Sequence, residues 1–344
     1  MLTLLLSALS TLCACVPMVT FLAIAWWLDR YDREPVWLVV LTFLWGGMGG
    51  VVSAVVGSVV LQVFLGVGFA AAGAVTGADL STWSEASGPV LVAPLMEEPA
   101  KAAFLLYVLW TRHFDNMTDG FVYGAAAGLG FGMTENFLYF LGATGDVATW
   151  GVTVVVRTFY SALMHATATS IVGAALGFAR FRGCLALLAS GAIGLGLAMG
   201  IHALWNGLLT AAQLLGGSGP AILDYVLFPI ELLGVLVVFE LCVLDESIGI
   251  RRELDEEARE GRIPADHPRV LSSWFRRLFP GRLALPAGNH ALYVQTATAL
   301  AKRKRQVRQM GGRAPAFYRD EVDRLRRQLE LLQRPAERRG EPTS

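Results

Sequence analysis

The sequence predicts an all-α, polytopic helical membrane protein of about seven transmembrane helices, eight being the alternative count, with a small helical cytosolic tail. Three observations predict it. Of 344 residues, 54% are hydrophobic and 16% are charged. The charges are segregated: from Asp245 onward there are 21 Lys+Arg and 14 Asp+Glu, against 7 and 14 in the first 244 residues. Several apolar runs in that front part reach the roughly 20 residues that a helix needs to cross about 30 Å of hydrocarbon. The net charge of zero thus joins a membrane-like part to a soluble one.

The first run, MLTLLLSALSTLCACVPMVTFLAIAWWL, reads as a retained helix, because it lacks a basic n-region and is too long for the h-region of a secretory signal. Taken in order, the spans cover roughly 4–28, 36–66, 89–110, 120–142, 150–178, 184–212 and 222–243. The run 36–78 has no charge and contains GGMGG; two short helices, or one tilted helix with a re-entrant piece, are the alternatives there. Lys and Arg outside the spans fall in DRYDREP, TRHFDNMTD, RFRG and the tail, while the opposite connections hold none. The alternation puts the N-terminus outside and the tail in the cytoplasm. All four cysteines lie in apolar runs with no CxxC pair, which suits small core residues rather than disulfides or zinc ligands.

By composition the chain divides into a transmembrane domain (1–244), a basic, Pro-containing linker (245–289), a helical cytosolic region (290–333) and a disordered tail (334–344). In the helical region Val322, Leu325, Leu329 and Leu332 form one apolar stripe. It serves a helical hairpin packed on itself or on the membrane surface, or else docks a partner. KRKR at 302–305 is expected to attract anionic lipid head groups; no nucleic-acid partner is expected for a membrane-tethered segment.

Ionisable groups at membrane depth cost several kcal/mol by most estimates, so each needs a partner or a task. Glu97, Glu98 and Lys101 lie in the third span, Glu135 and Asn136 in the fourth, Arg157 and His165 in the fifth, His202 and Asn206 in the sixth. Glu97 and Glu98 sit about ten residues below Gly88, roughly 15 Å at 1.5 Å per residue. Glu135, His165 and His202 fall at comparable depth in alternating helices, which is how a buried polar site is built. Lys101 reaches either glutamate at i,i+4 or i,i+3. Pro99 deprives the Leu95 carbonyl of its helical partner. Asn206 shares a face with His202, and Thr169 with His165, so each imidazole has a neighbour to fix its tautomer.

Two acids, two histidines and an amide suit hydrolysis by activated water, with glutamate as general base and histidine or asparagine at the oxyanion. Two histidines and a carboxylate are also a zinc donor set; the candidate ligands are Glu98, His165 and His202. The sequence has neither HExxH nor GxSxG. The blander readings are an intrahelical ion pair for Lys101, structural histidines, interhelical glue for Glu135 with Asn136, and Arg157 paired with Glu231. A proton-coupled transporter or a catalytically silent membrane scaffold are the rival functions.

Several motifs carry a resemblance: DRYDREP, LMEEPAK, HFDNMTDGFVYGAAAGLGFGMTENFLY, LMHATATSIVGAALG and GIHALWNG. Over about residues 10–210 the chain resembles the PrsW-type intramembrane proteases, relatives of the CAAX-processing and bacteriocin-immunity membrane proteases. The resemblance implies a multi-pass protease of the bacterial plasma membrane, with membrane-anchored proteins such as anti-sigma factors as substrates. It places the family's paired glutamates on Glu97 and Glu98 and its catalytic histidine on His202. Glu135 and His165 match two further motif positions. Asn206 stands where some members carry Asp or another polar residue. Glutamate-activated water and a metal remain the two mechanisms, and the last hundred residues are not covered.

Overall fold

The computed structural model describes residues 1–29, 31–215, 219–276 and 290–333; the predicted tail 334–344 and part of the predicted linker lie outside them. Helices dominate, and there is no strand among the described residues. In chain order the longer ones are α1 (Leu2–Leu28), α2 (Val36–Thr76), α3 (Ser81–Ser87), α4 (Ala93–Leu109), α5 (Met117–Gly142), α6 (Val147–Ala179), α7 (Cys184–Leu215), α8 (Gly219–Arg259), α9 (His267–Leu271), α10 (His290–Met310) and α11 (Ala316–Gln333). Four helices, Leu2–Leu28, Val36–Thr76, Val147–Ala179 and Cys184–Leu214, are long and apolar enough to cross a membrane. The charges of LMEEPAK leave α4, at 17 residues, outside that group.

The chain forms two compact units. The first holds Met1–Leu28, Glu34–Phe178 and Leu188–Phe239; the second holds Asp29–Arg33, Ala179–Leu187 and Glu240–Ser344.

The first unit is built around α5. Asn116 starts this helix: its side-chain oxygen accepts from the backbone N–H of Thr118 (2.6 Å) and Asp119 (3.1 Å), and Asp119 accepts in return from the Asn116 N–H. That reciprocal cap satisfies donors that would otherwise be orphaned. Beyond it, Thr118 through Gly132 are buried. Glycines make this possible. A Cβ on Gly120, Gly124 or Gly128 would strike the α6 backbone at Gly173, Thr169 and His165. On another face, a Cβ on Gly130 would strike Phe43 of α2, and one on Gly46 would strike Ala127 of α5. Close backbone approach of this kind holds helices together where lipid removes the hydrophobic driving force. Glu135 is thereby carried to the level of His165. On the far side of α6, Gly194 of α7 lies against Val172 and Ala175, and the Ser190 hydroxyl donates to the Ala175 carbonyl (2.7 Å).

Among the described residues, three π-helical turns interrupt the ladder, at Trp45–Gly50, Gly88–Val92 and Arg157–Ser161. The GGMGG run is thus a wide turn inside α2 rather than a break. In the second turn the Ala93 N–H reaches back to Gly88, and Pro94 has no N–H to offer, so the Pro89 carbonyl is left without a helical donor. Side chains fill such gaps: Asn206 Nδ2 donates to Pro89 O (2.8 Å), Thr134 Oγ1 to Gly47 O (2.7 Å) and Asn136 Nδ2 to Arg157 O (3.1 Å). Turns of this type recur at functional sites.

The second unit has its own core. Val322, Leu325, Leu329 and Leu332 of α11 are buried with Leu300 of α10 and Leu254 of α8, so the stripe packs inward. The expectation that KRKR attracts lipid head groups is corrected here. Lys302 pairs with Glu246 (3.1 Å), Arg303 with Glu321 (2.8 Å), Lys304 with Glu257 (2.5 Å), and Arg305 takes Asp245 with both carboxylate oxygens at 2.8 Å. These cations are spent on acids of the same unit. Burial alone would raise the Glu257 carboxyl, but hydrogen bonds from Arg326, Lys304 and Arg262 hold it down at about 2.

Candidate active site

A cavity of about 750 Å³ opens within the first unit, walled by apolar side chains such as Val55, Val59, Leu138 and Leu209. Its polar lining includes Glu97, Glu135, Arg157, His165, His202 and Asn206. Glu98 and Lys101 lie behind that lining and are fully buried.

Successive residues on a helix point about 100° apart, so the adjacent glutamates do not share a role. Glu98 Oε1 accepts from Lys101 Nζ (2.7 Å) and from His202 Nδ1 (2.7 Å). Lys101 Nζ also lies 2.8 Å from His165 Nδ1 and 4.3 Å from the centre of the Phe131 ring. His165 Nε2 is 2.7 Å from Glu135 Oε2, which Arg157 Nη2 contacts at 2.8 Å. Six side chains from four helices therefore form one connected chain: His202, Glu98, Lys101, His165, Glu135, Arg157.

The wiring fixes the donors. An ammonium has only donors to offer, so the lone pair of His165 faces Lys101 from Nδ1 and its proton sits on Nε2, toward Glu135. His202 donates from Nδ1 to Glu98, which leaves its Nε2 lone pair free. That nitrogen is 3.9 Å from Glu97 Oε2, a buried oxygen with no hydrogen-bond partner. Lys101 is close to Glu98 and Arg157 to Glu135, whereas Glu97 has its nearest ammonium at 3.7 Å. Glu97 is the acid of the site whose charge is least compensated.

Several expectations change. The ligand set anticipated as Glu98, His165 and His202 is not the group the fold assembles: the donor atoms lying within 4.8 Å of one another belong to Glu97, His165 and His202. Glu98 instead gives Oε1 to Lys101 and His202, and its Oε2 is buried without a hydrogen-bond partner. Asn206 reaches the cavity wall but gives its amide to Pro89, and Glu98 holds the His202 tautomer instead. Thr169 does not serve His165; its hydroxyl is buried without a partner. Arg157 binds Glu135 rather than standing apart with Glu231. Sequence reasoning passed over Arg157 because Glu231 offered it an ion-pair partner away from the site. Its place in the fifth span, seven residues from the outer end as Glu135 is in the fourth, was the available signal.

Residues 34–239 match the family described as PrsW family intramembrane metalloprotease. Protease PrsW of Bacillus subtilis (strain 168) is 33% identical over 154 residues, covering 44% of this chain and 61% of the relative. Protease PrsW of Geobacillus kaustophilus (strain HTA426) is 33% identical over 167 residues, covering 48% of this chain and 64% of the relative. The matched part is thus less than two thirds of either relative. No solved structure matches the chain. The family match takes in more than half of the sequence and all six connected side chains, and this protein belongs to the PrsW family.

Proposed function

We propose that the chain is an intramembrane endopeptidase that hydrolyses peptide bonds of membrane-anchored, single-span proteins in a bacterial plasma membrane. The observation that carries this reading is the pair of uncommitted acceptors, Glu97 Oε2 and His202 Nε2, 3.9 Å apart on two residues of the cavity lining. A water placed between them donates one hydrogen to each, which aims its lone pair outward into the cavity. Glu97 takes a proton as the water oxygen bonds to the substrate carbonyl carbon. The same proton passes to the amide nitrogen as the C–N bond breaks, which returns Glu97 to its starting charge. Glu98 holds the His202 ring, and Lys101 offsets the Glu98 charge.

The donor set also fits a divalent cation, zinc being the natural candidate for two histidines and one carboxylate. Glu97 and His202 offer free acceptor atoms, with Glu98 as the carboxylate that orients the histidine from behind. His165 would join them only with its proton moved off Nε2, which gives up its bonds to both Glu135 and Lys101. When bound, such a cation supplies Lewis-acid polarisation of the carbonyl and raises the acidity of water.

Seven spans, with the N-terminus outside and the second unit in the cytoplasm, fit the distribution of Lys and Arg in the connections. On that topology the cut falls in the outer half of the bilayer. The test is comparative membrane proteomics of cells carrying wild type, Glu97→Gln or His202→Ala, with a chelator-treated arm. Single-span proteins trimmed only by wild type support the reading; identical profiles in all three strains refute it. Loss of trimming with chelator assigns the reaction to a cation.

A further inference from the structure

Arg157 is anchored more fully than its position suggests. Its Nε donates to Asn136 Oδ1 (3.1 Å), its Nη2 to Ser161 Oγ (3.2 Å) and to Glu135 Oε2 (2.8 Å). The guanidinium carbon stacks 3.6 Å from the centre of the Tyr139 ring, and Asn136 Nδ2 returns a bond to the Arg157 carbonyl in the π turn. Glu135 Oε2 is in turn the acceptor 2.7 Å from His165 Nε2. The His165 and His202 rings meet edge to face, centroids 5.2 Å apart.

We propose that Arg157 is a positioning residue: by clamping Glu135 it fixes His165 as the Nε2–H tautomer and, through the ring contact, sets the orientation of His202. Lys101 defines one side of His165 and the Arg157–Glu135 pair defines the other. Without the guanidinium, Glu135 faces the cavity with no cation beside it, and the His165 proton loses its fixed acceptor. The ring can then rotate off Lys101, which lifts the ammonium's hold on Nδ1 and lets the tautomers exchange, and the acceptor pair of Glu97 and His202 loses its alignment. Outer partners of this kind typically change activity by about 10–100-fold.

The test is ¹⁵N NMR of histidine-labelled full-length protein, with the His165 signals assigned from a His165→Gln sample. Wild type is expected to show a single tautomer protonated at Nε2, and Arg157→Gln a mixture or the opposite tautomer. If Arg157→Gln does not fold, Arg157→Lys carries the test. Lysine keeps the charge but not the fork that reaches Asn136 and Glu135 together, so exchange between tautomers is expected. A folded variant with an unchanged His165 signature overturns the proposal, whatever its melting temperature. The kinetic consequence rests on the hydrolytic reading: on a substrate identified by proteomics, Arg157→Gln should lower kcat at least tenfold and leave KM nearly unchanged. The NMR needs no substrate, so a wild-type protein with the expected tautomer and no proteolysis refutes that reading alone.

Discussion

Lys101→Met tests whether the buried lysine is what makes Glu98 tolerable. Methionine keeps the length and apolar stem of lysine and deletes the ammonium. Glu98, 0% exposed, would retain one hydrogen bond, from His202 Nδ1; its Oε2 has none to begin with. Removing one partner of a buried ion pair costs about 3–5 kcal/mol, mostly because the other charge is stranded. For a unit of this size that corresponds to a fall in Tm on the order of 10 °C. Adding Glu98→Gln to the same background removes the stranded charge while leaving an oxygen for His202, so all but about 1 kcal/mol should return. Thermal unfolding of the four proteins of the cycle in detergent, followed by tryptophan fluorescence, measures both quantities. A Lys101→Met protein melting within about 2 °C of wild type, or a double variant no more stable than the single one, refutes the pairing.

Gly128→Leu should destabilise the first unit by about 3 kcal/mol or more, since even a Cβ there strikes the His165 carbonyl; a well-folded variant with unchanged Tm would show that α5 and α6 are not in backbone contact. Leu329→Ala should cost about 2–5 kcal/mol, because Leu329 is 2% exposed in the core of the second unit; a neutral effect on thermal unfolding would mean the stripe is not buried. The low Glu257 value sets a direction with pH. A carboxyl whose folded pKa lies below its unfolded value of 4.5 stabilises the fold above that pH and loses its contribution as pH falls toward 2. Wild type should therefore lose stability across that window, and Glu257→Gln, already less stable at neutral pH, should lose less of it. In zinc titrations of metal-free protein, Glu98→Ala should weaken binding by about 10–100-fold although it offers no ligand, because the His202 ring is no longer oriented; unchanged affinity would detach Glu98 from that role.

The chemistry was legible in the residues because lipid makes a buried charge expensive, so Glu97, Glu98, Lys101, Glu135, His165 and His202 declared themselves by being where they are. Spacing along one helix also announced the Lys101 pairing, since i,i+3 and i,i+4 neighbours meet on any helix. Pairings between helices were another matter. Asn206 and Thr169 looked like tautomer partners from their own helices, yet Pro94 freed a carbonyl that claimed Asn206, and Lys101 reached His165 from α4. KRKR looked like a lipid anchor until α8 brought Asp245, Glu246 and Glu257 against α10.

The sequence by itself determined that the protein is helical and membrane-like in its first 244 residues, that its polar groups converge in depth, and which family it resembles. These properties follow from hydropathy, periodicity and the price of charge in hydrocarbon, all local to the chain. Only the tertiary structure decided that Glu97 faces the cavity while Glu98 turns to Lys101 and His202, and that Arg157 holds Glu135. The physical reason is rotational: depth is fixed by counting residues, but the azimuth of each side chain is fixed by which face its helix packs against its neighbours, as where the glycines of α5 admit α6 and α2.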